Sequence, residues 1–298
     1  AADRQIDLLV WPESMFRFPL VTFDDALTPP PDVPPEQAAR TRASHDRLAA
    51  LASWVQAPIL VGIDRLDVQP PFDGDPAEWK FDAHNAVAIT DSAGKVLAFY
   101  DKQHRVPYGE YIPLFENLPA LHFLTPLPGA IKAGESPVAM PLNRSEGALI
   151  VSPNICYETV IPHVIRNQVK QLQDEGTPPD LLVNVTNNAW FWGSSELEMH
   201  LACNILRAVE NRTPMVIAAN GGLSAVIDSS GRVLEVSDRL TEQVILADVP
   251  LDPRISFYTR YGDLLVWPCL IVCGWLAIIG VAKADGGRRK AESVSSVA

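Results

Sequence analysis

Three residues in this chain carry groups suited to acyl chemistry, and they sit in similar places. Glu13 follows the apolar run at 8–12, Lys102 follows 96–100, and Cys156 follows 148–151. Each lies just past a predicted strand, and in layered α/β folds reactive groups gather at strand ends. A thiolate is the strongest side-chain nucleophile near neutral pH and forms thioesters readily. It needs a base or a positive neighbour to form. His163, the nearest histidine in sequence, would lie about two turns along a helix, so a Cys–His pair is not signalled. Glu13 would serve as the base if burial raised its proton affinity. Lys102 would stabilise the thiolate and then a tetrahedral oxyanion, beside a backbone N–H such as that of Tyr157. Taken singly, the three have plainer readings: a small core residue, an exposed loop acid and a solvated cation.

The surrounding pattern predicts the elements that must position them. Short apolar runs predict strands at 6–10, 58–63, 84–90, 95–100, 148–152, 181–186, 215–219, 224–227, 233–236 and 244–249. Helical spacing predicts helices at 36–55, 159–173 and 195–211. Asp91-Ser92-Ala93-Gly94 is a hairpin signal between two of the strands. Residues 19–35 and 64–82 read as loops, and 103–145 as irregular. Single helices alternating with strands, interrupted by hairpins, predict an α/β domain of layered mixed sheets.

Composition narrows the function. Acidic residues outnumber basic ones 36 to 24, for a net charge of −12, which argues against a nucleic-acid partner. Four cysteines are too few for a disulfide scaffold. No Cys/His cluster has metal-ligand spacing, and no HExxH, P-loop or GxGxxG motif occurs, so neither a metal nor a cofactor is expected. Residues 264–282 carry no charge. At about 1.5 Å per residue they would span about 28 Å, close to the hydrocarbon thickness of a bilayer. Lys283, Arg288, Arg289 and Lys290 follow, a positive-inside flank, and Tyr261 and Trp267 stand near the start as interfacial aromatics. A transmembrane helix at 264–282 is expected, with a cytoplasmic tail at 283–298. Residues 1–250 would form the main domain, on the opposite side of the membrane (in a bacterium, the periplasm), and 251–263 a linker.

The motifs around the three residues are specific in combination. Glu13 lies in VWPES, Lys102 in YDKQHRVPYGEYIPL and Cys156 in ICYE, followed by NVTNNAWFWGSS, EMHLACNILRAVENR and ANGGLSAVIDSSG. Their order and spacing resemble the nitrilase, or carbon–nitrogen hydrolase, superfamily with its Glu–Lys–Cys triad. VPYGEYIPL, ICYE, NNAWF and the ending SFYTRYGDLLVWP resemble most its apolipoprotein N-acyltransferase branch. The resemblance covers about residues 6–282.

That resemblance implies an αββα sandwich with mixed sheets, followed by the C-terminal transmembrane helix. It implies transfer of an acyl chain from a phospholipid, through a thioester on Cys156, to the α-amino group of a diacylglyceryl-apolipoprotein. Glu13 would be the general base and Lys102 the oxyanion holder. Glu110 matches an additional catalytic carboxylate, and Tyr157 and Glu158 match residues that support the nucleophile. Asn188, Trp190 and Phe191 match a loop beside the substrate pocket, where the aromatics would either pack or face lipid. His200, Arg207 and Glu210 match polar positions of the following helix and are expected to form a scaffold. A membrane-anchored amidase using the same triad is the alternative, and a monomer is favoured. The sequence departs from the branch in three respects. An N-terminal bundle of membrane helices and the usual first strand are not seen, so we expect the chain to be a fragment. Trp192 stands between Phe191 and Gly193, where the branch usually runs from Phe straight to Gly. Met199 takes the place of the Gln expected before His200.

Overall fold

The computed structural model describes residues 5–31, 33, 35–69, 80–111, 131–144 and 146–295. The chain divides into two compact units, 1–259 and 260–298.

The first unit holds two sheets. The first sheet has the order β1 (Leu9–Phe23), β2 (Ile59–Gln69), β3 (Lys80–Thr90) and β4 (Val96–Asp101), with β1 and β2 parallel and the rest antiparallel. The second comprises β5 (Met140–Arg144), β6 (Gly147–Ile155), β7 (Leu181–Asn187), β8 (Met215–Asn220), β9 (Ala225–Ile227) and β10 (Val233–Val236), in sequence order across the sheet. β6, β7 and β8 run parallel, and the pairs at each side are antiparallel. Helix α1 (Pro35–Val55) joins β1 to β2, α2 (Pro162–Asp174) joins β6 to β7, and α3 (Glu196–Asn211) joins β7 to β8.

Strand periodicity explains the layering. Side chains alternate between faces, so a strand buried on both sides must be apolar at consecutive positions. On β2 and β3, Leu60, Val87 and Ile89 face Met140, Val151, Val183 and Val185 of the second sheet, forming the central core. The intervening Ile59, Val61, Ile63, Ala86 and Ala88 turn the other way, against Leu48 and Ala52 of α1. Leu182, Met215 and Ile217 on the outer face of the second sheet meet Ile165 and Val169 of α2 and Ala208 of α3. The result is the expected αββα sandwich.

Several expected boundaries are corrected. β1 continues to Phe23 and β2 to Gln69, where loops were expected; Leu20 and Val21 are buried, as are Arg65 and Asp67, and buried ion pairing makes this polar stretch compatible with a strand. β3 starts at Lys80. β5 lies within the stretch expected to be irregular, whose residues 112–130 fall outside the described residues. The first turn of the expected second helix is instead a separate 3₁₀ turn, Cys156–Val160, and α2 begins at Pro162, whose fixed φ and missing N–H suit a first turn. Residues 244–249 form no strand. Their alternation is real, with Val249 packed on the central core and Val244 exposed, but they pair with no described strand.

The second unit contains α5 (Val266–Ser295), preceded by the short α4 (Phe257–Tyr261) that ends the first unit and enters the second. Within α5, Val266–Lys283 is long and apolar enough to cross a bilayer, and its side chains are exposed.

Candidate active site

Lys102 and Cys156 arrive from strand ends, as expected, whereas Glu13, expected just past a strand, comes from a bulge inside β1, and the three converge. Glu13 lies in β1 at a break in register, between the pairs Trp11–Val61 and Phe16–Ile63. The neighbouring Ser14 takes φ 53°, and the bulge turns the chain so that Glu13 points inward. Gly62 permits this. A Cβ there would lie 2.5 Å from the Glu13 Cα and from the Pro12 carbonyl oxygen, so any larger residue would push the bulge away. Lys102 follows β4 directly, and its backbone N–H donates to the Asn85 carbonyl at 2.8 Å. Cys156 follows β6 and opens the 3₁₀ turn in the left-handed conformation, φ 50°. A non-glycine residue held there stores strain of about 1–3 kcal/mol, a feature common at functional positions.

The two acids and the lysine form one hydrogen-bonded cluster. Lys102 Nζ donates to Glu110 Oε1 at 2.8 Å and lies 3.8 Å from Glu13 Oε1. Asn85 Nδ2 donates to Glu13 Oε1 at 2.7 Å and to Glu110 Oε1 at 3.1 Å. The backbone N–H of Asn187, at the end of β7, donates to Glu13 Oε2 at 2.7 Å. Glu110 Oε2 accepts from the backbone of Val106 at 2.9 Å, which ties the turn that follows Lys102 back onto the cluster.

Burial sets the proton affinities. It lifts the Glu13 carboxyl above the ordinary carboxylate range, outweighing Lys102, Asn85 and Asn187, which pull the other way. Burial also opposes the charge on Lys102, but Glu13, Cys156 and Glu110 together hold its ammonium above the usual lysine range. Burial, and then the Glu13 charge, push the Cys156 thiol up to about 11, against the pull of Lys102 and Thr186. Near neutral pH Cys156 therefore rests as a thiol, beside a carboxyl of raised proton affinity and a fixed cation. Such a set can take the thiol proton as sulfur attacks a carbonyl and can then stabilise the oxyanion that forms.

Glu158 acts one layer below. It is fully buried and accepts from four donors: Tyr100 Oη at 2.8 Å and the backbone N–H groups of Gln103 (2.7 Å), His104 (2.9 Å) and Ile155 (2.7 Å). It thereby links the residue before the nucleophile to the two residues after Lys102. Tyr157 is partly exposed, its ring 6.1 Å from that of His104.

The loop after β7 divides. Asn188 turns inward and is buried, whereas Trp190 and Trp192 are 77% and 92% exposed and Phe191 is 40% exposed. Trp192 takes the left-handed conformation, φ 49°, which glycine would adopt without steric cost. Arg207 and Glu210 form the expected scaffold: Arg207 Nη2 donates to Glu210 at 2.8 Å and Nη1 to the Thr159 carbonyl at 3.2 Å. His200 bonds the Cys156 carbonyl rather than the thiol, at 3.2 Å. Sequence reasoning missed Asn85 and Thr186. The only signal for either was a polar residue inside a buried apolar strand. Among the described residues, no group of acidic, His or Cys side chains is arranged to hold a metal.

This geometry can be set beside known proteins. The family model for carbon–nitrogen hydrolase matches residues 1–257. The chain belongs to the carbon–nitrogen hydrolase family. Its relatives include proteins named apolipoprotein N-acyltransferase. One from Geobacter metallireducens is 33% identical over 264 residues, covering 89% of this chain and 44% of that protein. One from Rhodopirellula baltica is 31% identical over 299 residues, covering 94% and 51%. The chain thus spans about half the length of the curated relatives it matches. Among solved structures, an amidase from Nesterenkonia sp. shares the fold with a TM-score of 0.50 at 18% identity, over 81% of this chain and 76% of that one.

Proposed function

We propose that this chain is the catalytic part of an apolipoprotein N-acyltransferase. Sulfur of Cys156 attacks the ester carbonyl of a membrane phospholipid while Glu13 takes the thiol proton. Lys102 and the Tyr157 backbone N–H face the developing oxyanion. The C–O bond breaks, the proton on Glu13 passes to the departing alkoxide, and a lysophospholipid leaves with the acyl group held as a thioester. The α-amino group of a diacylglyceryl-apolipoprotein then attacks the thioester. Glu13 takes its proton, the C–S bond breaks, and the proton returns to sulfur. Glu110 holds Lys102 through both steps, and Glu158 and Tyr157 support the turn that carries the nucleophile. Asn188, Trp190 and Phe191 border the acyl-chain pocket.

The observation that carries this reading is the convergence of Glu13 and Lys102, bonded through Asn85 and Glu110 in one buried cluster, on Cys156, whose sulfur feels the charges of both. The apolar segment Val266–Lys283 supports a membrane-anchored enzyme. The basic residues that follow it support a cytoplasmic C-terminus and a catalytic part on the periplasmic face of a bacterial inner membrane.

Intact-mass spectrometry in phospholipid-containing micelles tests the first half-reaction. An acyl-sized adduct is expected, labile to hydroxylamine and absent from Cys156→Ala. No adduct, together with ammonia release from small amides, would overturn the reading in favour of a membrane-anchored amidase.

A further inference from the structure

A polar stripe on the buried face of α3 docks the turn that carries the nucleophile. His200, Asn204 and Arg207 recur at helical spacing, and all three are buried. Each meets the 3₁₀ turn Cys156–Val160. His200 Nε2 lies 3.2 Å from the Cys156 carbonyl oxygen, the Thr159 hydroxyl donates to Asn204 Oδ1 at 3.1 Å, and Arg207 Nη1 donates to the Thr159 carbonyl at 3.2 Å. Asn204 Nδ2 donates in turn to the His200 carbonyl at 2.8 Å. The Cys156 carbonyl has a second, longer approach from β7. Asn184 Nδ2 lies 3.4 Å from it while donating to Asn154 Oδ1 at 2.7 Å across the β6–β7 register.

These bonds hold an orientation that the backbone alone disfavours, because Cys156 sits in the left-handed region at φ 50°. A carbonyl oxygen only accepts, so His200 Nε2 carries a proton. Burial disfavours the imidazolium, and Nδ1 accepts from Asn188 Nδ2 at 3.2 Å, so the ring is neutral and its tautomer is set from both ends. The peptide between Cys156 and Tyr157 is planar and trans, so its carbonyl and its N–H point in opposite directions. A carbonyl drawn toward α3 therefore sends the Tyr157 N–H away from the α3 face. An oxyanion donor is effective only when it is aimed before the charge develops.

We propose that His200 is a positioning residue for the oxyanion site: its Nε2–H holds the carbonyl edge of the peptide between Cys156 and Tyr157, so that the opposite edge presents the Tyr157 N–H to the developing oxyanion. Asn184 assists from β7. His200 acts on the backbone of the nucleophile, and the thiol proton still goes to Glu13. The inference rests on the acyl-transfer reading of Cys156. It does not require the acyl donor to be a phospholipid.

Two reagents that meet the same sulfur separate this role from a merely structural one. p-Nitrophenyl butyrate acylates Cys156 through a tetrahedral oxyanion: the C–S bond forms, the thiol proton goes to Glu13, the C–O bond breaks and p-nitrophenolate leaves. Iodoacetamide alkylates the sulfur at a saturated carbon with loss of iodide, and no oxyanion forms. Both reactions are followed on the full chain in detergent micelles by peptide mass mapping of Cys156. His200→Phe should slow acylation at least about tenfold, a part of the roughly hundredfold or more that outright loss of an oxyanion donor costs, while alkylation keeps the parental rate. His200→Gln, which keeps an N–H donor, should recover most of the acylation rate. Asn184→Ser should lower acylation about threefold, again with parental alkylation, since its bond to the carbonyl is the longer one. Parental acylation by His200→Phe would overturn the proposal, and so would an equal slowing of both reactions. If His200→Phe does not fold, the ratio of the two rates in Asn184→Ser decides in the same way. A parent chain that is alkylated at Cys156 but takes no acyl group would overturn the acyl-transfer reading itself, an outcome distinct from any difference between parent and variants.

Discussion

Two buried cations belong to the first sheet's surroundings, Arg65 on β2 and Lys102 just past β4, and they are treated differently. Arg65 on β2 is held on every side. It donates to Asp101 through Nε at 2.9 Å and Nη2 at 2.5 Å, and to Thr22 and Asp25 through Nη1 at 2.7 and 2.9 Å. Its guanidinium also lies 4.6 Å over the ring of Phe99. Lys102 makes one short bond, to Glu110, while Glu13 stands off at 3.8 Å. Asp101 and Lys102 are adjacent in the chain, and neighbours on an extended strand point to opposite faces. One strand end thus feeds a saturated ion cluster on one side and an unsaturated one on the other. A planar fork matched to carboxylates suits fixed structure, whereas a compact ammonium with spare donors can turn toward charge that appears during a reaction.

The comparison is sharpened most by removing the reactive cluster. Glu13→Gln, Lys102→Met and Cys156→Ala should each lower the rate of thioester formation at least about a thousandfold, since each removes a group engaged at the reacting atoms. Circular dichroism should show folded protein with little loss of thermal stability. Arg65→Met should do the reverse. The largely buried carboxylates of Asp67 and Asp101 would lose their shared cation, at a cost of about 3–5 kcal/mol read from urea unfolding. Thioester yield per folded molecule should hold. If Lys102→Met proves as destabilising as Arg65→Met, the division between structural and reactive cations fails.

Much of this arrangement was legible in the sequence, and the exceptions share a cause. Strand ends marked Glu13, Lys102 and Cys156, because apolar runs followed by a single reactive residue stand out by composition. The family pattern brought in Glu110 and Glu158. Arg65 was lost because its strand carries Asp64, Arg65 and Asp67, and alternating charges look like a loop until three-dimensional pairing neutralises them. Asn85 and Thr186 were lost because a lone polar residue in an apolar strand has no periodic signature, and its worth depends on what stands across from it. Residues 244–249 misled in the opposite sense. Alternation reports which face is covered, and it says nothing about whether a neighbouring strand is there to pair.

The proton affinity of Glu13 separates the clusters by pH. Its carboxyl is raised above 4.5 by burial, so the rate of thioester formation should climb with pH along an acid limb that lies above 4.5. The sign for stability is opposite. A raised folded-state value means that the protonated form is favoured in the folded protein. Its contribution is fully present below 4.5 and is lost as pH rises through the folded value. Glu13→Gln lacks that loss, so its stability relative to the parent should improve between pH 4.5 and neutrality while its activity disappears. A variant that is less stable than the parent at pH 7 would place Glu13 with Arg65's partners, as a structural carboxylate.

The smallest effect is expected at His84, which stands directly across from Arg65 in the β2–β3 register and 3.4 Å from Asp101. Burial lowers its proton affinity and Arg65 adds to that, while Asp101 opposes both. The folded state therefore prefers the neutral imidazole. This contribution is fully present above 6.5 and is lost as pH falls through the lower folded value. His84→Gln should change stability at pH 7 by less than about 1 kcal/mol, since Asp101 is already held by the Arg65 fork. Between pH 7 and pH 5.5 the parent should lose more stability than the variant. If His84→Gln instead matched the loss seen in Arg65→Met, the cluster would depend on a charged imidazole, and Arg65 alone would not account for its saturation.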